Sequence, residues 1–90
     1  MDLIAKAAKV IHNEKLVKKF KRWLERKGYS DQTVYNYTYY VRSLMRNCSN
    51  IHDEESVRSF LWKRPRKTRN NYVSAYYLFK EFLKEEVEEC

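Results

Sequence analysis

The sequence predicts an all-α protein, a four-helix orthogonal bundle with an extra short N-terminal helix. One Gly and one Pro in 90 residues leave few places for the tight turns that a strand-rich chain needs. Apolar residues recur at intervals of three and four, which is the helical period. The periodic stretches stop at capping or helix-breaking residues, including Gly28, Ser30 and Pro65. A chain of this length forms one domain without room for a large active-site cleft.

The first part of the chain predicts two helical segments. Residues 2 to 12 place apolar side chains on one face and predict a short helix that breaks or bends near Asn13. A stronger pattern runs from Glu14 to Lys27 and stops at Gly28, which is placed as a C-terminal cap; its apolar residues are Leu16, Phe20, Trp23 and Leu24. We therefore divide the chain into an N-terminal extension, residues 1–13, and a helical core, residues 14–87.

Ser30 begins the next helix as its N-cap, with Asp31 in the first turn. The helix is predicted to end at about Arg46, and its inward residues are Val34, Tyr37, Val41, Leu44 and Met45. The opposite face carries Asn36, Tyr39, Tyr40 and Ser43. Because a helix hides only part of its circumference, we expect some of Tyr35, Tyr39 and Tyr40 to be exposed.

The last third of the chain predicts two more helices after a loop at residues 47–52, in which Ile51 turns inward. Asp53 caps a short helix with the apolar residues Val57, Phe60 and Leu61, and Pro65 prevents it from continuing. The final helix runs from Arg66 to about Glu86 with an inward stripe of Tyr72, Ala75, Tyr76, Phe79, Phe82 and Leu83. Steps of 100° per residue place a polar face opposite that stripe, formed by Lys67, Asn70, Ser74 and Tyr77 with Asn71 on its flank. Trp23 and Trp62 are expected in the core.

The segment KRPRKTRNNY, residues 63 to 72, carries five cations at the start of the final helix. Free backbone N–H groups, cationic side chains and the helix dipole all favour anions at such a place. The first 80 residues hold 18 cations and 7 acids, and five of the twelve acids lie in the last ten residues. This asymmetry favours a polyanionic partner, and nucleic acid is the first to consider. On this stretch alone, a solvated basic turn that caps the helix is an equal alternative, whereas a nuclear localisation signal explains the same residues less fully.

Other classes of function find little support in the sequence. Cys48 and Cys90 have no companions at metal-ligand spacing, and His12 and His52 are expected to be surface residues, so we expect neither a metal nor a cofactor. The apolar residues near the start are interrupted by Lys6 and Lys9, which excludes a signal peptide and a membrane span there. Both cysteines are read as free thiols in the cytoplasm, and no small-molecule substrate is expected.

Residues 16 to 83 resemble the core-binding domain of tyrosine recombinases, the phage integrase family, whose N-terminal module is SAM-like. The resemblance lies in three segments: LVKKFKRWLERKGYSDQTVYNY at 16 to 37, SVRSFL at 56 to 61 and KTRNNYVSAYYLFKEFL at 67 to 83. In that family the domain holds one face of duplex DNA, and its second and fourth helices lie against the major groove. The resemblance therefore implies double-stranded DNA as partner and recombination or integration as the process, with other protomers of a recombination complex as further partners.

Carried over position by position, the resemblance implies contacts from two helices. The second would contribute Thr33, Tyr35, Asn36 and Tyr40, and the fourth Lys67, Thr68, Asn70, Asn71 and Ser74. Arg66 and Arg69 would add phosphate contacts. Asn pairs in bidentate fashion with adenine edges, whereas Lys, Thr and Ser mostly bind the backbone. Asn36 and Asn71 are therefore the expected base-reading residues.

The family's catalytic domain has no counterpart in this sequence. Neither His12 nor His52 begins a His-x-x-Arg motif, and a Tyr without that setting lacks the base and the charge stabilisation that attack on a phosphodiester needs. We therefore expect no catalytic residue and no enzymatic activity in this chain, which is either one domain of a recombinase or a stand-alone DNA-binding accessory protein. Alternatives are a helical protein–protein interaction module and a binder of structured RNA.

Overall fold

A computed structural model describes the backbone of residues 3–48 and 51–88 and the side chains of residues 11–48 and 51–86. Within these ranges the chain forms four α-helices and no strand: α1 Leu3–Arg26, α2 Asp31–Asn47, α3 Glu54–Trp62 and α4 Arg66–Glu88. The predicted all-α bundle is confirmed. Helix α2 packs most extensively, since it contacts both α1 and α4, and the short α3 closes one end against α2 and α4.

The predicted separate N-terminal helix is not found in the described residues, which is a correction to the sequence prediction. Helix α1 runs without interruption from Leu3 to Arg26, so the break expected near Asn13 is wrong. Asn13 has a modest intrinsic cost in a helix and is no helix breaker, and half-buried Asn13 and Glu14 continue the inward face that Leu16 and Val17 extend. The prediction of a separate N-terminal helix depended on Leu3, Ala7 and Val10, whose side chains lie outside the described residues.

The connections use the residues that the sequence indicated. Gly28 has φ 90°, a left-handed conformation that favours Gly and ends α1 after Arg26. The Ser30 hydroxyl accepts a hydrogen bond from the Thr33 backbone N–H and so caps α2. The Asp53 carboxylate accepts one from the Glu55 N–H and caps α3. These caps fix where α2 and α3 begin.

The core is an aromatic cluster with aliphatic residues around it. Phe20 from α1 meets Phe79 and Phe82 from α4, with ring centres 5.4 and 5.6 Å apart, and Trp23 lies 6.0 Å from both Phe20 and Phe82. Apart from Trp62, the predicted inward residues with described side chains are buried or packed against this core. Val17 and Thr38 were missed, and the Thr38 hydroxyl is satisfied by the carbonyls of Val34 and Tyr35 in its own helix.

The two tryptophans differ, and one prediction is wrong. Trp23 is buried as expected, and its indole N–H donates to Glu85 of α4. Trp62, expected in the core, is 80% exposed at the last position of α3. Helix α3 is only nine residues long, and Val57 and Leu61 already fill its inward face, so no core space remains for the indole.

Candidate nucleic-acid interface

The basic turn, defined here as residues 63–67, joins α3 to α4 at one end of the molecule. Its backbone is held by hydrogen bonds from the Lys63 N–H to the Phe60 carbonyl and from the Arg64 N–H to the Leu61 carbonyl. On the far side of Pro65, the Arg69 N–H donates to the Pro65 carbonyl at 2.8 Å and begins the ladder of α4. All five residues of the turn are exposed. The turn is therefore a fixed surface feature.

Arg69 stabilises the basic turn through hydrogen bonds to backbone carbonyls. Its Nε donates to the Leu61 carbonyl at 3.2 Å and its Nη2 to the Arg64 carbonyl at 3.0 Å. The Leu61 carbonyl lies in the last turn of α3, where backbone acceptors lack i+4 partners, and the Arg64 carbonyl lies in the basic turn itself. The guanidinium is thus engaged with the turn itself, whereas the resemblance implied a phosphate contact for it.

The four cations of the basic turn itself are exposed. Lys63, Arg66 and Lys67 have no ion-pair partner among the side chains that the structure describes. Arg64 lies over the Phe60 ring, with its guanidinium carbon 4.4 Å from the ring centre. Exposed, unpaired cations at the first turn of a helix create a positive potential to which α4's free N–H groups add.

The exposed face of α4 begins at Lys67 and continues with the predicted polar residues. Lys67, Asn70, Asn71 and Ser74 are exposed and recur at spacings of three and four, so they form one continuous strip. Thr68 is half-buried and lies closer to the core. Tyr77 follows on the same side and is 60% exposed. The outward position predicted for this face is confirmed, whereas Thr68, which the resemblance implied as a contact, is half-buried.

Tyr72 joins this part of α4 to α2. Its ring centre lies 4.9 Å from that of Tyr40, and its hydroxyl is 2.8 Å from the Ser43 hydroxyl. Tyr40 is half-buried here, and Asn36 lies one turn before it on the same flank of α2. The Asn36 Oδ1 accepts from Gln32 at 3.1 Å, while Thr33 takes part in the Ser30 cap. Thr33, Asn36 and Tyr40 therefore share the side of α2 that faces α4.

Tyr35 lies on the other flank of α2. It is 67% exposed and lines a groove between α1 and α2 together with Lys18, Lys21 and Arg42. Arg42 forms an ion pair there with Glu14 of α1 at 3.3 Å. Among the predicted contacts on α2, Tyr35 is thus separated from the α4 side, because five residues of helix turn it away from Tyr40 by more than a quarter of a circle.

An aromatic row connects the three helices around the turn. It consists of Tyr39, Tyr40, Tyr72 and Phe60, with successive ring centres 5.5, 4.9 and 5.3 Å apart, and ends in the Arg64 guanidinium. Sequence reasoning did not find this row, since Phe60 and Tyr72 were assigned only to the core. Edge-to-face pairs of this kind are worth about 0.5–1.5 kcal/mol each beyond their buried area. The row holds α2, α3 and α4 in a fixed relation at the basic turn.

Part of the acidic C-terminal segment lies away from the basic turn. Glu85 accepts from Lys27 at 3.1 Å and from the Trp23 indole at the end of α1. Hydrogen bonds from Lys27 and Trp23 hold the pKa of the Glu85 carboxyl below its ordinary value. This carboxylate is therefore committed to the α1–α4 junction near Gly28, so it does not cover the Lys67 surface.

No protein-family model, curated protein or solved structure matches this chain. Within residues 11–48 and 51–86, no group of three or more His, Cys, Asp and Glu side chains is placed to hold a metal ion. Of the helices described above, none combines the length and the apolar character needed to cross a bilayer.

Proposed function

We propose that this protein binds double-stranded DNA through the basic turn, the exposed strip of α4 and the α4-facing flank of α2. The domain would act in site-specific recombination or integration, as its resemblance to the core-binding domain of tyrosine recombinases implies, within the cytoplasm and without catalytic residues of its own. The observation that carries the proposal is the rigid, unpaired cationic turn at the entrance of an amide-bearing helix.

The support from the turn is electrostatic. Lys63, Arg66 and Lys67 are exposed and have no carboxylate partner in the described part of the chain, so binding phosphate breaks no ion pair of theirs. Arg69 keeps their backbone in place through two carbonyls, which lowers the ordering cost of binding. Contacts of this type fix the register of a protein on a duplex and carry no sequence information.

The support from the helices is chemical. Asn70 and Asn71 lie beside Lys67 on one exposed strip, and an amide side chain matches the N6 and N7 positions of adenine in the major groove. Asn36 is exposed on the α2 flank that Tyr40 and Tyr72 join to α4. The proposed division of roles is phosphate binding by the turn and base reading by Asn36 and Asn71.

Salt dependence tests the proposed class of partner. Duplex binding should weaken with salt by about 0.9 log unit per tenfold salt for each phosphate neutralised. The slope is measured by fluorescence anisotropy of a labelled duplex over a range of salt concentrations. A flat response together with salt-insensitive self-association would instead support the second candidate, a protein interaction module, for which the exposed rings of Tyr35 and Tyr39 are the favouring observation.

Two alanine variants test the assigned roles. Lys67→Ala should weaken binding to all duplexes about equally and lower the salt slope by about one contact. Asn71→Ala should weaken binding to a selected cognate site by about 1–3 kcal/mol and binding to random duplex much less. Both residues are exposed, so thermal unfolding should be nearly unchanged in each variant. If Asn71→Ala lost the same affinity for the cognate and the random duplex, Asn71 would have no role in base reading.

A further inference from the structure

Trp62 is the most exposed large apolar side chain among the residues whose side chains the structure describes. It stands at the last position of α3, directly before the basic turn, and is 80% exposed. Burying an indole contributes more than burying most other side chains, so leaving it in water forgoes a large stabilisation. The packing of the core explains why the indole lies outside, but not why a Trp stands at this position.

The surroundings of Trp62 are cationic. Arg58, Ser59 and Lys63 line the same surface depression as its ring. The Arg69 guanidinium carbon lies 5.5 Å from the ring centre, and Arg69 is itself held by the carbonyls of Leu61 and Arg64. A fixed cation therefore supports the indole on one side, while most of the ring surface remains open to a partner.

An open aromatic face among cations matches one chemistry particularly well. A nucleobase offers a flat π-face for stacking, and the phosphates that flank it pair with the surrounding cations. Bases inside an intact duplex are already stacked on each other, so a surface indole can stack only on an unpaired base. A partner protein would bury the indole equally well, but it would need matching acidic groups.

We propose that Trp62 is a stacking platform for an unpaired nucleobase, so that the protein prefers a duplex continuing into a single strand over a blunt duplex. This inference rests on the proposed function, because the basic turn must first hold the adjoining duplex. Trp62 adjoins that turn in sequence and contacts Arg69 one turn into α4. The unpaired strand thus leaves the duplex over the end of α3.

The test compares one duplex with blunt ends and the same duplex with a short thymine overhang, titrated with wild type, Trp62→Phe and Trp62→Leu. Wild type should bind the overhang DNA more tightly, and Trp62→Leu should lose roughly 5- to 150-fold in affinity for it with unchanged affinity for the blunt duplex. Trp62→Phe should retain most of the preference, because Phe keeps an aromatic face. Since the residue is exposed, all three proteins should unfold at similar temperatures, which circular dichroism checks.

Tryptophan emission gives a second readout. Overhang DNA should quench the emission of wild type and leave that of Trp62→Phe unchanged, because only buried Trp23 remains there. Equal wild-type affinity for both DNAs without quenching would overturn the stacking role and leave the proposed function intact. Self-association that Trp62→Leu abolishes, with DNA binding unaffected, would overturn it in favour of a protein partner. Failure to bind either DNA would overturn both proposals.

Discussion

Individual side chains in this protein divide into those that shape the chain and those available to a partner. Gly28, Ser30 and Asp53 determine where helices begin and end, and each acts through backbone conformation or a cap. Lys67, Asn70 and Asn71 contribute little to the fold, since they are exposed on the outside of α4. Substitutions in the two groups should therefore have separable effects on stability and on binding.

Gly28 offers the sharpest test of a shaping residue. Its φ of 90° strains any L side chain, although a Cβ there would meet nothing within 4 Å. Gly28→Ala should therefore lower the free energy of unfolding by about 1–2 kcal/mol through backbone strain alone. Urea denaturation measures the change. Gly28→Asn is the matched control and should lose less, because Asn tolerates the left-handed region better; equal losses would contradict the explanation.

Glu85 predicts a pH dependence of stability. Its pKa is lowered in the folded state by Lys27 and Trp23, so the ionised form stabilises the fold. This contribution is fully present above the ordinary carboxyl pKa and is lost as the pH falls through the lowered folded value. The melting temperature of wild type should therefore fall more steeply in acid than that of Glu85→Gln, and the two should converge at low pH. Circular dichroism melts over a pH series give this comparison.

The control for Glu85 is Glu81→Gln, an exposed acid one turn earlier on the same helix. Its melting profile should follow that of wild type across the whole pH range. If the difference in melting temperature between wild type and Glu85→Gln were the same at every pH, altered packing and not the lost charge would explain it.

The aromatic residues show where reasoning from sequence succeeds and where it fails. Periodicity assigned Phe20, Trp23 and Phe79 to the core, because each falls in the middle of an apolar stripe. The same argument placed Trp62 inside and was wrong, since periodicity does not reveal how much space a nine-residue helix has beneath it. Contacts across helices, such as Tyr40 with Tyr72, depend on tertiary packing and have no local signal.

At the level of elements, the junction of α3 and α4 depends on Arg69. Arg69→Lys keeps the charge but loses the fork that reaches the Leu61 and Arg64 carbonyls. The free energy of unfolding should fall by about 1–2 kcal/mol, because the two charge-assisted hydrogen bonds are only partly shielded from water. DNA affinity should fall with it on every sequence, since the turn is no longer held.

Arg66→Lys is the matched control for Arg69, because Arg66 is exposed at the first position of α4. It should leave the stability of the protein unchanged. Denaturant unfolding and duplex titration of both variants separate the roles: a loss of DNA affinity in Arg69→Lys at full stability would restore the direct phosphate contact that the family resemblance implies.

Helix ends were more predictable than helix continuity. Gly28, Ser30, Asp53 and Pro65 act locally, so the sequence was enough to place the ends they govern. The interruption expected near Asn13 rested only on the weak helix propensity of Asn, and helix α1 continues through this position. The two predicted contact helices are packed on each other. Helical geometry alone separates Tyr35 from Tyr40, but only packing shows that the Tyr40 flank of α2 faces α4 and the Tyr35 flank faces α1.

At the scale of the whole molecule, the two ends of α4 differ in charge. The basic turn lies where α3 meets α4, while Glu85 neutralises Lys27 at the opposite end of α4. A 23-residue helix is about 34 Å long, which is close to one turn of B-form DNA. One end of α4 therefore carries the unpaired cations of the basic turn and the other carries the Glu85–Lys27 ion pair, and the aromatic core lies between them.

Cys48 reports on the unfolding of the whole molecule. It is buried beside α2, and burial raises the pKa of its thiol, so the reactive thiolate is scarce in the native state. In a Cys90→Ser variant, which leaves Cys48 as the remaining cysteine, reaction with a thiol reagent should be slow in buffer and rise in parallel with loss of helical signal in urea. Fast labelling of the folded protein would show that the α2 end opens independently.

Thr38 has a consequence for how this protein can change over time. The polar side chain buried in α2 bonds to carbonyls of its own helix, and no described buried side-chain N or O atom lacks a partner. Apart from the Trp23–Glu85 and Tyr72–Ser43 bonds at its edge, the interior is specified mainly by shape and volume, and such interiors tolerate many apolar combinations of equal size. Descendants of this chain are free to exchange their interior residues, whereas Gly28 and the cap residues have few substitutes.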